Sequence, residues 1–451
     1  MIKMQQDKLK KEIGLLEAMT MVIGVVIGSG IFFKASIVFA QAENAFMGIM
    51  AWILGGLITM ASALTVTEIA TAIPKTGGVF VYLKELYNEK VAFLFGWMQS
   101  FIYVPGVVAA LAIILVSQAT FFVDIAPTMQ KVLAIALIIF IMTINVLSTK
   151  LGSKVQLVST IAKLVPIIGI IVYGLMSGTA KGYDAIFTSA VTLGQQPMNY
   201  AGLGAAILGT LWAYDGWVGV GNMAGELKNP QKDLPRAIII GLLITIVVYI
   251  AINVALINVM PFAAVTASSQ VTSDAAVILF GNIGASIIAA GIIISIFGAL
   301  NGYILTGVRV PFAMAQDGLM PFASVIGKVD KKFGTPTNAF IFQGALASVY
   351  VLSGSFEMLT NLAMFMVWVF FVMTVAGIFI LRKSHEPSTY RVPLYPVVPL
   401  VGVLGGVYVI ISTLMTHFGS SVLGIGITLI GLPVYYIIKK KSVEKGTLVT
   451  E

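Results

Sequence analysis

The sequence predicts an all-α integral membrane protein with twelve transmembrane helices, two of them unwound mid-membrane. Three observations carry that expectation. Of 451 residues, 58% are hydrophobic and only 10% charged, and the mean hydropathy is +0.99, far from the roughly 25% charged content of soluble domains. Apolar segments recur at a length that suits a hydrocarbon core, which takes about 20 helical residues to cross. Two of those segments are interrupted by polar residues next to glycine, at Gly28-Ser29-Gly30 and at Tyr214-Asp215-Gly216.

The spans are predicted at 13–40, 45–73, 91–122, 130–148, 152–178, 200–227, 235–260, 283–312, 337–354, 358–382, 394–416 and 418–439. With both termini cytoplasmic, only Lys34, Lys131 and Lys181 fall outside and Lys163 lies within a span; the rest of the 27 Lys and Arg face inward. That bias sets the orientation. It also accounts for the net charge of +8 without a nucleic-acid partner. Residues 1–12 are then a cytoplasmic N-terminus and 440–451 a short basic tail that anchors the topology. The 13–40 segment exceeds the roughly 7–15-residue core of a signal peptide and has no cleavage signature after it, so it reads as mature chain.

Punctuation supports the map. Pro74-Lys75-Thr76-Gly77-Gly78 separates the second and third spans, and Asn229-Pro230 with Pro235 separates the sixth and seventh. Residues 261–282 are apolar but broken by Thr, Ser and Asp, which predicts an external loop with short helices. Several chemistries are excluded. The chain has no Cys and two His, so no disulfide, thiolate metal site or cysteine nucleophile can form. His385 has only Glu386 beside it and His417 no carboxylate nearby, too few ligands for a metal site. No nucleophile, base or metal cluster gathers at membrane depth, so neither an enzyme nor a bound cofactor is expected.

The first break sits in a segment too long for one ordinary crossing. Unwound backbone in hydrocarbon is tolerated only where its amides and carbonyls face protein, water or a ligand; the bland alternative is close helix packing through small residues. The second break, Trp212-Ala213-Tyr214-Asp215-Gly216-Trp217 followed by Gly219 and Gly221, puts an acid in mid-span. A charge there costs about 2.5–3.5 kcal/mol on insertion scales and marks function. The breaks lie at similar depth in the first and sixth spans. An odd number of spans separates them, so residues 200–382 form an inverted copy of residues 13–178, with 394–439 added. The half-helix starting at Ile31 points free amides and about +0.5 charge at the gap, which suits a carboxylate. The half ending near Trp212 and Ala213 offers free carbonyls, which suit an ammonium. A free α-amino acid carries both groups.

Gly28-Ser29-Gly30-Ile31-Phe32, Pro74-Lys75-Thr76-Gly77-Gly78, Ala213-Tyr214-Asp215-Gly216-Trp217 and Glu226-Leu227-Lys228-Asn229-Pro230, leading to Leu234-Pro235-Arg236-Ala237, occur in that order. Over about residues 13–440 the chain resembles the amino acid–polyamine–organocation (APC) superfamily. Within it the chain is most similar to the L-type amino acid transporter (LAT) family, and there to bacterial serine/threonine exchangers. The resemblance implies a LeuT-type 5+5 inverted repeat plus two extra helices. It also implies sodium-independent exchange of small neutral L-amino acids of the serine, threonine or alanine type across the cell membrane by alternating access.

By the same resemblance, the amides of Ser29 and Gly30, following Gly28, hold the substrate carboxylate. The carbonyls of Val26, Trp212 and Asp215 take the amine, with Ala213 and Tyr214 completing that half of the site. Trp212 stands where the family usually places a phenylalanine lid. Asp215 is acidic where some relatives are neutral, so it either accompanies cationic substrates or has its charge satisfied by neighbouring amides, with neutral substrates; the second reading is favoured. Lys163 occupies the place of a sodium ion in sodium-coupled relatives. Its ammonium is expected to reach carbonyls around Gly24 and the hydroxyl of Ser295, coupling site occupancy to the tilt of the inner half of the first span.

The alternatives are proton-coupled symport through Lys163, or exchange of cationic or larger neutral amino acids. Gln99, Ser100, Tyr103 and Asn301 are either pathway groups or interhelical glue, and Glu68 is structural. The implied partners are the amino acid and membrane lipid. Mammalian relatives join a heavy chain through a disulfide; without cysteine that linkage is impossible, and a lone subunit is expected.

Overall fold

The computed structural model describes residues 9–178, 180–193, 200–268, 270–353, 356–384, 389–416 and 418–444. His385, His417, Lys3, Lys8 and Lys445, with most of the predicted N-terminal and C-terminal segments, lie outside the described residues.

The helices run α1 (Leu15–Val26), α2 (Gly30–Ala42), α3 (Ala45–Ala72), α4 (Val79–Leu86), α5 (Glu89–Met98), a π-helical turn (Gln99–Tyr103) and α6 (Val104–Ala119). They continue through α7 (Pro127–Leu147), α8 (Thr149–Ser177), α9 (Gly182–Leu193), α10 (Tyr200–Ala213), a 3-10 helix (Trp217–Glu226), α11 (Pro230–Val259), α12 (Phe262–Ala267) and α13 (Val271–Gly307). The series ends with α14 (Arg309–Gln316), α15 (Ala323–Ile326), α16 (Thr337–Ser353), α17 (Phe356–Ala376), α18 (Ile378–Ser384), α19 (Val397–Thr416) and α20 (Phe418–Glu444). Local chemistry explains many starts: the side chains of Asn44, Asn88 and Ser148 accept the amides of Met47, Val91 and Leu151, and Pro127 and Pro230 occupy first-turn positions, where a missing amide proton costs nothing.

Among the described residues, nine helices are long and apolar enough to cross a membrane, or ten if the bent pair α1 and α2 is one span. This is a multi-pass membrane architecture with fewer full-length apolar helices than the twelve predicted spans. The shortfall has two physical sources. The predicted ninth span is the 17-residue α16, and the predicted sixth is divided between α10 and a 3-10 helix. That 3-10 helix contains Gly219, Gly221 and Gly225, which lower α-helix propensity by about 1 kcal/mol each and admit Thr306, Tyr82 and Thr76 to its surface. The segment 261–282 holds short helices as expected, α12 and the first part of α13, which then continues past a non-helical Gly281 (φ 68°).

Burial separates the helices into two groups. The most apolar 18 residues are 78% buried within Glu89–Ala119 and 67% within Ser286–Gln316, so these sit at the centre; the corresponding stretches of Pro127–Leu147 at 28%, Val397–Met415 at 22% and Ser421–Lys440 at 28% turn apolar faces outward. Such faces suit acyl chains, since side chains as apolar as lipid gain nothing by hiding from it. Behind the two chain breaks, Trp52, Tyr214 and Tyr249 form a buried aromatic triad with ring centroids 4.9 to 6.0 Å apart. It locks α3, the end of α10 and α11 together.

Candidate functional site

Helices α1 and α2 meet at 44° across Ile27, Gly28 and Ser29. The kink follows from glycine's low helix propensity and from what replaces the lost helical bonds. The Ile27 carbonyl accepts the Lys163 ammonium at 2.5 Å and the Ser295 hydroxyl at 3.0 Å, and the Gly28 carbonyl accepts the same hydroxyl at 3.2 Å. The second break is a turn over Tyr214 and Asp215, closed by Gly216 at φ 101°. Only glycine adopts that backbone without strain, and a Cβ there would also lie 2.5 Å from Val25.

The two breaks face each other. Gly28, Ser29, Gly30, Val25 and Val26 from the first, with Trp212, Ala213 and Asp215 from the second, line one cavity of about 50 Å³ closed by Val107, Ala110, Leu111, Ala299 and Tyr303. On its first side, the amides of Ser29, Gly30 and Ile31 donate to no acceptor among the described residues. They cap a 13-residue helix, so the partial positive charge of its N-terminus adds to their free protons. On the opposite side the carbonyls are partly engaged. Val26 accepts from the Gly28 amide at 2.8 Å and the Tyr249 hydroxyl at 2.7 Å; Trp212 accepts from the Asp215 amide at 3.2 Å; Ala213 accepts from Tyr249 at 3.0 Å.

Asp215 is buried, and its Oδ2 accepts the hydroxyls of Tyr103 at 2.5 Å and Tyr303 at 3.3 Å. Its Oδ1 is buried with no partner among the described residues. Tyr103 belongs to the π-helical turn Gln99–Tyr103, a backbone form found often at functional sites. Tyr214, by contrast, points away from the cavity lining and donates to the Trp52 carbonyl at 3.2 Å. Trp212 is half-buried at the cavity wall, with the Lys34 ammonium 4.6 Å from its ring centroid.

Lys163 is fully buried. Its Nζ donates to the carbonyls of Gly24 at 2.7 Å, Ile27 at 2.5 Å and Ser295 at 3.2 Å, and no carboxylate pairs with it among the described residues. Gly24 is therefore in place as expected, whereas Ser295 meets Lys163 through its carbonyl and not through the expected hydroxyl. The reason is visible: that hydroxyl is drawn to the Ile27 and Gly28 carbonyls, which the break leaves without amide donors.

Other expectations resolve individually. Asn301 bonds Asn145, Gly152 and Gln156 and acts as glue between helices. The Ser100 backbone carbonyl accepts from Gln343 at 2.9 Å. Glu68 is structural, held by Arg382 through both its Nε and Nη2 and by the Val392 amide. Sequence reasoning missed Tyr249 and Tyr303, which look like ordinary apolar-span aromatics. A buried tyrosine needs a partner for its hydroxyl, but nothing local names which one.

Comparison with known proteins identifies the family. The profile of the amino acid permease family matches residues 13–438. The chain is 46% identical to the serine/threonine exchanger SteT of Bacillus subtilis, over 97% of this chain and 99% of that one. It is 32% identical to human b(0,+)-type amino acid transporter 1 over 92% of this chain and 85% of the relative. It is 28% identical to mouse Asc-type amino acid transporter 1 over 95% and 81%. A cavity between two broken helices, a family profile spanning nearly the whole chain and full-length relatives converge on one assignment: the chain belongs to the amino acid permease family, in the APC superfamily.

Proposed function

We propose that the protein is a sodium-independent exchanger of small neutral L-amino acids, of the serine, threonine or alanine type. The observation that carries this reading is the set of unbonded Ser29, Gly30 and Ile31 amides facing the cavity that the second break closes. A substrate carboxylate satisfies those amides. Its ammonium lies toward the Trp212 carbonyl, which keeps one free lone pair, and toward the Val26 and Asp215 carbonyls. A small cavity, about 50 Å³, favours small side chains. The identity to a serine/threonine exchanger supports the same substrate class.

Lys163 supports independence from sodium, because an ammonium already fills the carbonyl cage that a metal ion would need. By gripping both Gly24 and Ile27 it ties the break to α8, so a substrate that draws on Ser29 and Gly30 biases the tilt of α1. The chain is read as twelve spans with α1 and α2, and α10 and the 3-10 helix, as the paired broken spans of inverted halves 13–178 and 200–382. Both termini lie in the cytoplasm, and the subunit acts alone in the cell membrane.

Labelled serine uptake into proteoliposomes tests the function. Uptake should require unlabelled amino acid inside and should ignore sodium. Uptake driven into empty vesicles by a proton gradient refutes exchange and establishes symport; preference for labelled arginine refutes the neutral-substrate reading and gives Asp215 its alternative role.

A further inference from the structure

The contact between α8 and α1 has a regularity that Lys163 alone does not explain. Gln156, Thr160 and Lys163 recur at positions i, i+4 and i+7 of α8 and so share one face. Their acceptors on α1 and the break, the carbonyls of Thr20, Gly24 and Ile27, recur at the same spacing. Gln156 Nε2 lies 3.5 Å and Thr160 Oγ1 3.1 Å from the Thr20 carbonyl, while Lys163 takes Gly24 and Ile27. All three donors are buried.

Gly24 makes this register possible. A Cβ there would lie 2.1 Å from Gln156 Nε2 and 2.3 Å from Thr160 Oγ1, so any side chain would push the donors off the backbone. Gln156 is itself oriented from behind: its Oε1 accepts Asn301 at 2.9 Å, and Asn301 accepts Asn145 at 2.9 Å. The donors therefore stand on a rigid base formed by α7, α8 and α13. Their target, the Thr20 carbonyl, is inside α1, where helical geometry already supplies it an amide donor. Such added hydrogen bonds are weak enough to break reversibly and strong enough to bias a two-state equilibrium.

We propose that Gln156 and Thr160 are positioning residues for transport, which with Lys163 form a clamp that holds the inner half-helix α1 against α8. Release of the clamp opens the cavity to the cytoplasm. The proposal rests on the alternating-access reading given above.

Because the chain has no cysteine, Ala18→Cys supplies a single thiol at a fully buried position in the first turn of α1. The test is its rate of labelling by a membrane-impermeant maleimide from the cytoplasmic face. Added to that background, Thr160→Val and Gln156→Leu should each label about fivefold faster, the equilibrium factor for one net buried hydrogen bond. Thr160→Ser, which keeps the hydroxyl, should label at the background rate. If Thr160→Val labels at the background rate while exchange falls, the clamp is overturned and Thr160 is packing only. Should Gln156→Leu not assemble, the Thr160→Val and Thr160→Ser pair decides the matter. Background labelling that does not respond to serine overturns alternating access itself, a failure distinct from that of the clamp.

Discussion

Gly30 packs against Ala213 where the two breaks meet, and substituting it separates binding from folding. A Cβ at Gly30 would sit 3.0 Å from both Cα and Cβ of Ala213 and 3.4 Å from Trp212 Cζ3. Ordinary carbon contacts lie near 3.5–4.0 Å, so one break must retreat from the other by about half an ångström. Overpacking of that kind costs about 1–3 kcal/mol. Gly30 is the first residue of α2, and alanine there gains helix propensity worth up to about 1 kcal/mol. Gly30→Ala should therefore change the midpoint of thermal unfolding little while weakening serine binding about 5- to 150-fold, taking 1.4 kcal/mol per decade. Gly30→Val should weaken it further, because its added methyls reach toward Trp212. Ala213→Gly combined with Gly30→Ala should recover part of the loss, since it removes one of the two close atoms. Scintillation-proximity binding of labelled serine to purified protein measures the effect. Parent affinity in Gly30→Val would refute the placement of the carboxylate between these helices.

Three further outcomes follow from the same geometry. Tyr249→Phe strips a donor from the buried Val26 and Ala213 carbonyls, so the empty protein should lose about 1–3 kcal/mol; bound serine, whose ammonium can replace the hydroxyl, should raise the variant's melting temperature more than the parent's. Glu226→Gln leaves the fully buried Arg309 guanidinium, now bonded at 2.8 and 2.9 Å, without its counter-charge, and unfolding monitored by fluorescence-detected gel filtration should show a loss of about 3–5 kcal/mol. Lys34→Gln removes the cation over Trp212, worth about 0.5–1 kcal/mol at an accessible site, and should raise the rate of serine release to the outside about two- to fivefold in an efflux assay.

What the sequence determined by itself was whatever depends on local composition. Apolar runs had to be membrane helices because their amides can be satisfied nowhere else in hydrocarbon. Breaks at Gly28 to Gly30 and at Ala213 to Gly216 were legible because glycine and a mid-span acid are costly there without a purpose. Lys163 stood out because a lone ammonium so deep in a span needs acceptors. The tertiary structure alone decided which acceptors. Tyr103 reaches Asp215 across 112 residues of chain, Tyr249 reaches Val26 across 223, and neither pairing leaves a periodic trace in the sequence. The same holds for Ser295: its hydroxyl was the expected partner of Lys163, but the orphaned Ile27 and Gly28 carbonyls claim the hydroxyl and the carbonyl meets the ammonium instead. The 3-10 helix after Gly216, where Gly219, Gly221 and Gly225 weaken the α-helix, was likewise completed by packing against Thr306 and Tyr82, which hydropathy does not register. Hydrophobic periodicity reports how each segment meets its surroundings; the convergence of distant polar groups on one cavity is fixed only when the helices pack.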